Sequence, residues 1–166
     1  MPKKTNLLED PHGFSISLVL NGLLVGLAAG GTAIFYRLML NYAENALFAV
    51  IDFTKGNGLL MTVWFLLLIL MGILVGRLVA WEGMSSGSGI PQVQGEMKGY
   101  LNQNWLRILI SKIIGGTLCI LGGLSLGREG PSVQLGAMAA KGAAKLTGTT
   151  PTKERYMLTC GAGAGL

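Results

Sequence analysis

The sequence predicts an all-α integral membrane protein, and its composition, long apolar segments and glycine pattern are the observations that predict this class. Of its 166 residues, 51% are hydrophobic and 13% are charged, and the mean hydropathy is +0.54. A soluble domain of this size needs a more highly charged surface. Glycine contributes 26 residues, many of them inside the apolar segments. We therefore expect helices that cross a bilayer and pack closely.

Two charge-free runs predict the first two transmembrane helices. The run from Phe14 to Tyr36 has 23 residues and the run from Gly58 to Gly76 has 19, and about 20 apolar residues span the hydrocarbon core. We assign spans to residues 14–36 and 58–80. The first run is longer than the roughly 7–15 residues of a signal-peptide core, so we expect it to be retained.

Glycines recur at four-residue spacing along each of these helices. Gly22, Gly26 and Gly30 lie on the first helix, and Gly72 and Gly76 lie on the second. Small residues at this spacing let transmembrane helices approach closely, so we expect the helices to pack through these glycines. The alternative is that the glycines act as hinges.

The basic residues are scattered among the segments between the apolar runs, although the net charge is +5. This distribution argues against nucleic-acid binding and is typical of the loop-charge bias of membrane proteins. If the N-terminus is cytoplasmic, the basic residues on the inside are Lys3, Lys4, Arg77, Lys98 and Arg107, and those on the outside are Arg37 and Lys55. We therefore expect a cytoplasmic N-terminus and a location in the cell (plasma or inner) membrane.

The cysteines and the histidine do not indicate a metal site or a disulfide. Cys119 and Cys160 lie in apolar surroundings without metal-ligand spacing, and His12 has no ligand set near it. We interpret the cysteines as packing residues and predict neither a metal nor a cofactor. Because the chain also lacks a phosphate-binding GxxxxGK[ST] motif and a pair of neighbouring catalytic carboxylates, we do not expect an enzyme.

Two glycine-bounded loops each lead into a short predicted helix. GSGIP occupies residues 87–91 and GREGP occupies residues 127–131, and each loop ends in a proline that suits the first turn of a helix. The predicted half-helices cover about 90–101 and 131–146, and Lys141 limits the uncharged part of the second to about half the core thickness. Two broken helices at corresponding positions point to a binding site near the middle of the membrane.

One further span and one further helix complete the chain. Residues 106–126 are apolar enough to cross the membrane and contain Lys112 near one end. Thr150 as N-cap, Pro151 and an acidic first turn predict a last helix from residue 151. Because this helix is apolar where the chain stops, we expect the chain to be an incomplete part of a longer protein.

The N-terminus of a half-helix is suited to bind an anion. It presents unpaired N–H groups and the equivalent of about half a positive charge. It attracts an anion without a cationic side chain that would hold the anion too tightly for transport. Ser88 adds a hydroxyl donor between Gly87 and Gly89, where the backbone can come close to the ion.

Glu129 is a carboxylate at the start of the second half-helix. Burying a carboxylate costs about 2.5–3.5 kcal/mol on insertion scales, whereas a favourable helix terminus returns up to about 2 kcal/mol. Because this balance is close, small changes in hydration can move the carboxylate between its charged and neutral forms. Charged, Glu129 can occupy the anion site, and protonated, it can leave, so we predict a proton-sensitive gate. The alternative is that Glu129 only pairs with Arg128 or caps the helix beginning at Pro131.

The two loops together resemble the first-half signature of the CLC family of chloride channels and chloride/proton antiporters. The resemblance implies the N-terminal part of an inverted-repeat fold with broken, re-entrant half-helices, which assembles as a homodimer in the complete protein. It implies that Glu129 is the proton-coupled gate and that the anion is bound by Ser88, Gly89 and Ile90. The rest of the implied anion-pathway loop consists of Gly87, Pro91, Gly127, Arg128, Gly130 and Pro131.

The resemblance also implies chloride transport, with proton-coupled antiport favoured over a passive voltage- or pH-gated channel. Serine at position 88 favours chloride, because nitrate-preferring and fluoride-exporting members tend to carry proline or methionine there. Gln92 and Gln94 depart from the family, since many members have acidic residues after GSGIP. The family's second half, with the inner glutamate of antiporters, would lie beyond Leu166. A different class of function is a small membrane assembly or regulatory subunit that transports nothing.

Overall fold

A computed structural model describes residues 11–166 of the protein, with side chains described from residue 19 onward. Six α-helices follow one another in this part of the chain, and a 3₁₀ turn, Gly83–Ser85, lies between the second and the third. The helices are α1 (Pro11–Thr54), α2 (Gly58–Trp81), α3 (Ile90–Met97), α4 (Trp105–Leu121), α5 (Glu129–Leu146) and α6 (Pro151–Ala164).

Helices α1 and α2 contain segments that are long and apolar enough to cross a membrane. These segments are Val19–Thr54 and Gly58–Trp81, and they contain 18-residue windows with mean hydropathies of 1.7 and 2.7, respectively. None of the residues of α2 is buried inside the protein. A helix that is apolar on all sides and unburied requires lipid or another apolar surface around it. The predicted all-α membrane class is confirmed.

Helix α1 continues well past the first predicted span. The sequence places that span at residues 14–36, whereas α1 runs without interruption to Thr54 over 44 residues. At about 1.5 Å per residue this helix is about 66 Å long, which is more than twice the roughly 30 Å of the hydrocarbon core. Part of α1 therefore lies outside the core. The side chains of Lys3, Lys4 and His12, on which sequence predictions rest, are outside the described residues.

Helix α5 forms the centre of the fold. Its residues 134–144 are all buried, and it packs against α1, α3, α4 and α6. Glycine and alanine allow α6 to approach closely, because a Cβ added to Gly136 would lie 2.9 Å from the Cα of Gly165. A Cβ added to Gly161 would likewise overlap the side chain of Ala140. Small residues thus permit close backbone contact between α5 and α6.

The glycine rows of α1 and α2 do not make such contacts. A Cβ would meet no atom within 4 Å at Gly22, Gly26, Gly30, Gly72 and Gly76. For the part of the chain that the structure describes, the prediction that these glycines bring helices together is wrong. Helices α1 and α4 instead meet where Tyr36 lies over Gly116. Four-residue spacing indicates a surface that can be approached closely, but it does not identify the neighbour.

The short helices after α2 differ in length. Helix α3 has eight residues and is about 12 Å long, whereas α5 has 18 residues and is about 27 Å long. The sequence treats Lys141 as the polar limit of the second helix, but the structure buries Lys141 in the core. In the third predicted span, residues 106–126, helix α4 ends at Leu121 and a loop leads to Arg128.

Candidate functional site

The GSGIP and GREGP loops come into direct contact. A Cβ built on Gly130 would lie 2.8 Å from the Cβ of Ser88 and 3.0 Å from its carbonyl oxygen. These distances leave no room for a side chain at position 130, so glycine is needed for the close approach. The first turn of α5 therefore lies against Ser88, and Ser88 is two residues before the start of α3 at Ile90.

The start of α3 depends on the two glycines around Ser88. Gly87 and Gly89 have φ angles of +68° and +84°, in a region that residues with a side chain rarely adopt. The N–H of Val93 donates to the carbonyl oxygen of Gly89 at 3.0 Å. The N–H groups of Ile90 and Gln92 precede this bond, so they have no partner within the helix. The first turn of α3 is thus free to bind an acceptor.

Helix α5 begins at Glu129, two residues before its predicted start at Pro131. The N–H of Ser132 donates to the carbonyl oxygen of Arg128 at 3.3 Å, and the Ser132 hydroxyl donates to the same oxygen at 2.7 Å. The N–H groups of Glu129 and Gly130 precede this bond, and proline has no N–H. A carboxylate in this first turn is favourably placed at the positive end of the helix dipole.

The Glu129 carboxylate is exposed and makes no ion pair or hydrogen bond with any of the described side chains, residues 19–166. Arg128 pairs instead with Glu44 of α1. The pairing of Glu129 with Arg128, an alternative raised by the sequence, is therefore not formed in this structure. Ser88 is also exposed, so the Glu129 carboxylate and the serine hydroxyl are both accessible.

The electrostatic character of this region follows from the Ser88–Gly130 contact. Each helix N-terminus is equivalent to about half a positive charge, and the contact places two of them side by side. The unpaired N–H groups at both ends are hydrogen-bond donors. Because these donors are part of the backbone, they need no reorganisation to bind an anion.

Lys112 of α4 also lies beside the first loop, although sequence reasoning did not assign it to the site. Its Nζ donates to the carbonyl oxygen of Gly87 at 2.5 Å, and its side chain is buried. A cavity of about 220 Å³ adjoins it and is lined in part by Tyr36, Ser86 and Pro131. The sequence signal that could have found Lys112 is its position as a lysine within an apolar segment. Ionisable residues in such segments are often functional.

Polar side chains from α3 and α4 hold the first loop. The Ser111 hydroxyl donates to the Ser85 hydroxyl oxygen at 2.9 Å, and the Ser85 hydroxyl donates to the carbonyl oxygen of Glu82 at 2.7 Å. The Gln92 amide donates to the carbonyl oxygen of Ser86 at 3.1 Å. Gln92 therefore supports the loop, whereas Gln94 is exposed.

The other predicted site residues lie around the Ser88–Gly130 contact. Gly89 is buried against Gln134 of α5, whose Cδ would lie 2.5 Å from a Cβ at position 89. Ile90 and Pro91 are exposed at the start of α3, and Gly127 is exposed before α5. Among the described residues, no group of histidine, cysteine, aspartate and glutamate side chains has the arrangement of a metal site.

A comparison with protein-family models matches residues 69–166 to the family described as voltage gated chloride channel. The match covers 98 of the 166 residues. It includes both loops and all of the helices α3 to α6.

Proposed function

The chain belongs to the voltage-gated chloride channel family, whose general function is chloride transport, and we propose that the paired helix N-termini form its chloride-binding region. The observation that supports this proposal is the Ser88–Gly130 contact. The contact brings one serine hydroxyl next to the unpaired N–H groups of two helices, and such groups bind anions. In this arrangement Ser88, Gly89 and Ile90 bind chloride, and Lys112 adds positive charge nearby.

Glu129 is the gate in this proposal, and the transport is proton-coupled antiport. The ionised carboxylate is attracted to the N-terminus of α5, where it competes with chloride for the same donors. Protonation removes this attraction, so the side chain moves aside and chloride enters. The exposure of Glu129 and the pairing of Arg128 with Glu44 support this role, because no described salt bridge holds the carboxylate in place.

The transported ions in this proposal are chloride and protons, and no cofactor takes part. The complete protein forms a homodimer in the plasma or inner membrane, with its N-terminus in the cytoplasm. The unburied apolar surface of α2 supports contact with lipid or with a second subunit. Members of this family are channels and transporters rather than enzymes.

The role of Glu129 is tested by reconstituting the full-length protein in liposomes and measuring chloride and proton fluxes together. We expect Glu129→Gln to reduce proton flux to background while chloride flux persists, because the amide cannot take up a proton. The matched control is Glu154→Gln, which changes a glutamate in the first turn of α6. Proton flux that is unchanged in Glu129→Gln would contradict the proposed gate.

The role of Ser88 is tested by the chloride dependence of flux in the same liposomes. We expect Ser88→Ala to weaken apparent chloride affinity by roughly tenfold, because a hydrogen bond to a charged group is lost.

Chloride flux without any proton flux in the wild type identifies a passive channel. No chloride flux in the wild type favours an assembly or regulatory subunit and overturns the proposed function.

A further inference from the structure

Four buried polar side chains form a continuous hydrogen-bonded chain between α5 and the loop before α3. Its members, which we call the buried polar chain, are Lys141, Glu96, Gln103 and Gln134. Lys141 and Gln134 belong to α5, Glu96 belongs to α3, and Gln103 lies in the connection between α3 and α4. They are exposed by only 1%, 7%, 2% and 0% in the order Lys141, Glu96, Gln103 and Gln134.

The first end of the buried polar chain is an ion pair between Lys141 and Glu96. The Lys141 Nζ also donates to Asn102 Oδ1 at 2.9 Å and to the carbonyl oxygen of Gln103 at 2.6 Å, so its three donors are all used. Apolar residues of similar volume are often as stabilising as a buried ion pair. Stability alone therefore does not account for polar side chains here.

The second end of the buried polar chain reaches the loop that contains Ser88. Gln103 Nε2 donates to Glu96 Oε2 at 2.7 Å, and Gln134 Nε2 donates to Gln103 Oε1 at 2.9 Å. Gln134 Nε2 also donates to the carbonyl oxygen of Met84 at 2.9 Å. The Gln134 side chain fills the space beside Gly89.

The position of Gln134 connects this network to the candidate site. Gln134 lies four residues after Gly130, so its side chain is one helical turn from the Ser88–Gly130 contact. The network thus attaches the loop at Met84, which precedes Ser88, to helix α5, whose first turn contacts Ser88. A shift of Gln134 would change the distance between Ser88 and the α5 N-terminus.

We propose that the buried polar chain is a positioning device that holds Ser88 at a defined distance from the N-terminus of α5 and thereby sets anion selectivity. This inference rests on the proposed chloride-binding function. The residues of the buried polar chain act through the Met84 carbonyl and the Gly89 backbone. The groups that donate hydrogen bonds to the anion remain the Ser88 hydroxyl and the N–H groups at the starts of α3 and α5. When several hydrogen bonds fix the distance between Ser88 and the α5 N-terminus, the site favours an ion of one size. A looser site would adapt to ions of different sizes.

The test is the nitrate-to-chloride permeability ratio of the full-length protein in liposomes. Gln103→Met cuts the network between the ion pair and Gln134 while keeping the side-chain volume similar. Gln134→Met separately removes the hydrogen bonds to Met84 and Gln103 and leaves the ion pair intact. The matched control is Lys145→Met, which removes an exposed lysine one turn beyond Lys141 on the same helix.

We expect the permeability ratio to change by roughly two- to tenfold in a folded Gln103→Met or Gln134→Met variant, an effect on anion binding comparable to that of one ordinary hydrogen bond. Lys145→Met keeps the wild-type ratio. Folding is checked by size-exclusion chromatography and thermal unfolding in detergent. A lower flux with an unchanged ratio in the folded variants shows a merely structural role and overturns the positioning proposal alone. An absence of chloride flux in the wild type overturns the proposed function and, with it, this inference.

Discussion

At the residue scale, Gly130 is the position where a single added carbon atom has the clearest consequence. Its missing side chain allows Ser88 to lie against the first turn of α5. In Gly130→Ala the new Cβ would be 2.8 Å from the Ser88 Cβ, so the two helix N-termini must move apart. We expect weaker chloride binding and slower flux in liposomes, with a loss of about 1–3 kcal/mol in unfolding free energy.

The control for Gly130→Ala is Gly163→Ala in α6, where a Cβ meets no atom within 4 Å. Its chloride flux should equal that of the wild type. Wild-type flux and wild-type chloride affinity in Gly130→Ala would show that the close approach of the two loops is not needed for transport.

Ser88, Glu129 and Lys112 show which site residues a sequence can reveal. Ser88 and Glu129 stand out because glycine and proline bracket them in short motifs, and both lie beside the contact between the loops. Lys112 is visible only as a lysine in an apolar segment, and its contact with Gly87 joins residues 25 positions apart. Long-range partners of this kind leave no local pattern, so only the folded chain reveals them.

At the element scale, α5 shows why charge alone does not locate the end of a membrane-embedded helix. Lys141 interrupts the apolar sequence, but Glu96 on α3 pairs with it inside the fold.

The all-α class follows from apolar runs of spanning length, and those runs are visible in the sequence. The packing of α5 against α6 is not visible in this way, because small residues occur on several helices. Close contacts are made by Gly136 of α5, Gly161 of α6 and Gly116 of α4, whereas the glycines spaced along α1 and α2 make none.

The contact between α5 and α6 gives the prediction at this scale. In Gly161→Leu the first added carbon would lie 2.5 Å from the carbonyl oxygen of Gly136, so α6 must move away from α5. We expect a loss of at least about 1–3 kcal/mol in unfolding free energy, measured by thermal unfolding in detergent. Gly163→Leu on the exposed side of α6 is the matched control and should unfold as the wild type does. Equal unfolding of the two variants would contradict the close α5–α6 packing.

At the scale of the whole molecule, the lengths of α1 and α2 constrain how the chain sits in the bilayer. Helix α2 is about 36 Å long and unburied, which suits one crossing with its side chains facing apolar surroundings. Helix α1 is too long to lie within the core. The exposed ion pair between Asp52, in the last turn of α1, and Lys55, directly after the helix, has a separation of 2.6 Å. Because exposed charged groups favour water, we place the turn between α1 and α2 at the membrane surface.

This placement, combined with the proposed cytoplasmic N-terminus, predicts that the α1–α2 turn lies on the outer side of the membrane. We expect a cysteine introduced at Asn57, which is exposed in the turn, to react with a membrane-impermeant maleimide in intact cells. The background is a variant in which Cys119 and Cys160 are replaced by alanine. Leu66→Cys, near the middle of α2, is the control and should remain unmodified even after permeabilisation, because thiols in the hydrocarbon core are not ionised. If Asn57→Cys reacts only after permeabilisation, the turn is cytoplasmic and the orientation inferred from the distribution of basic residues is reversed.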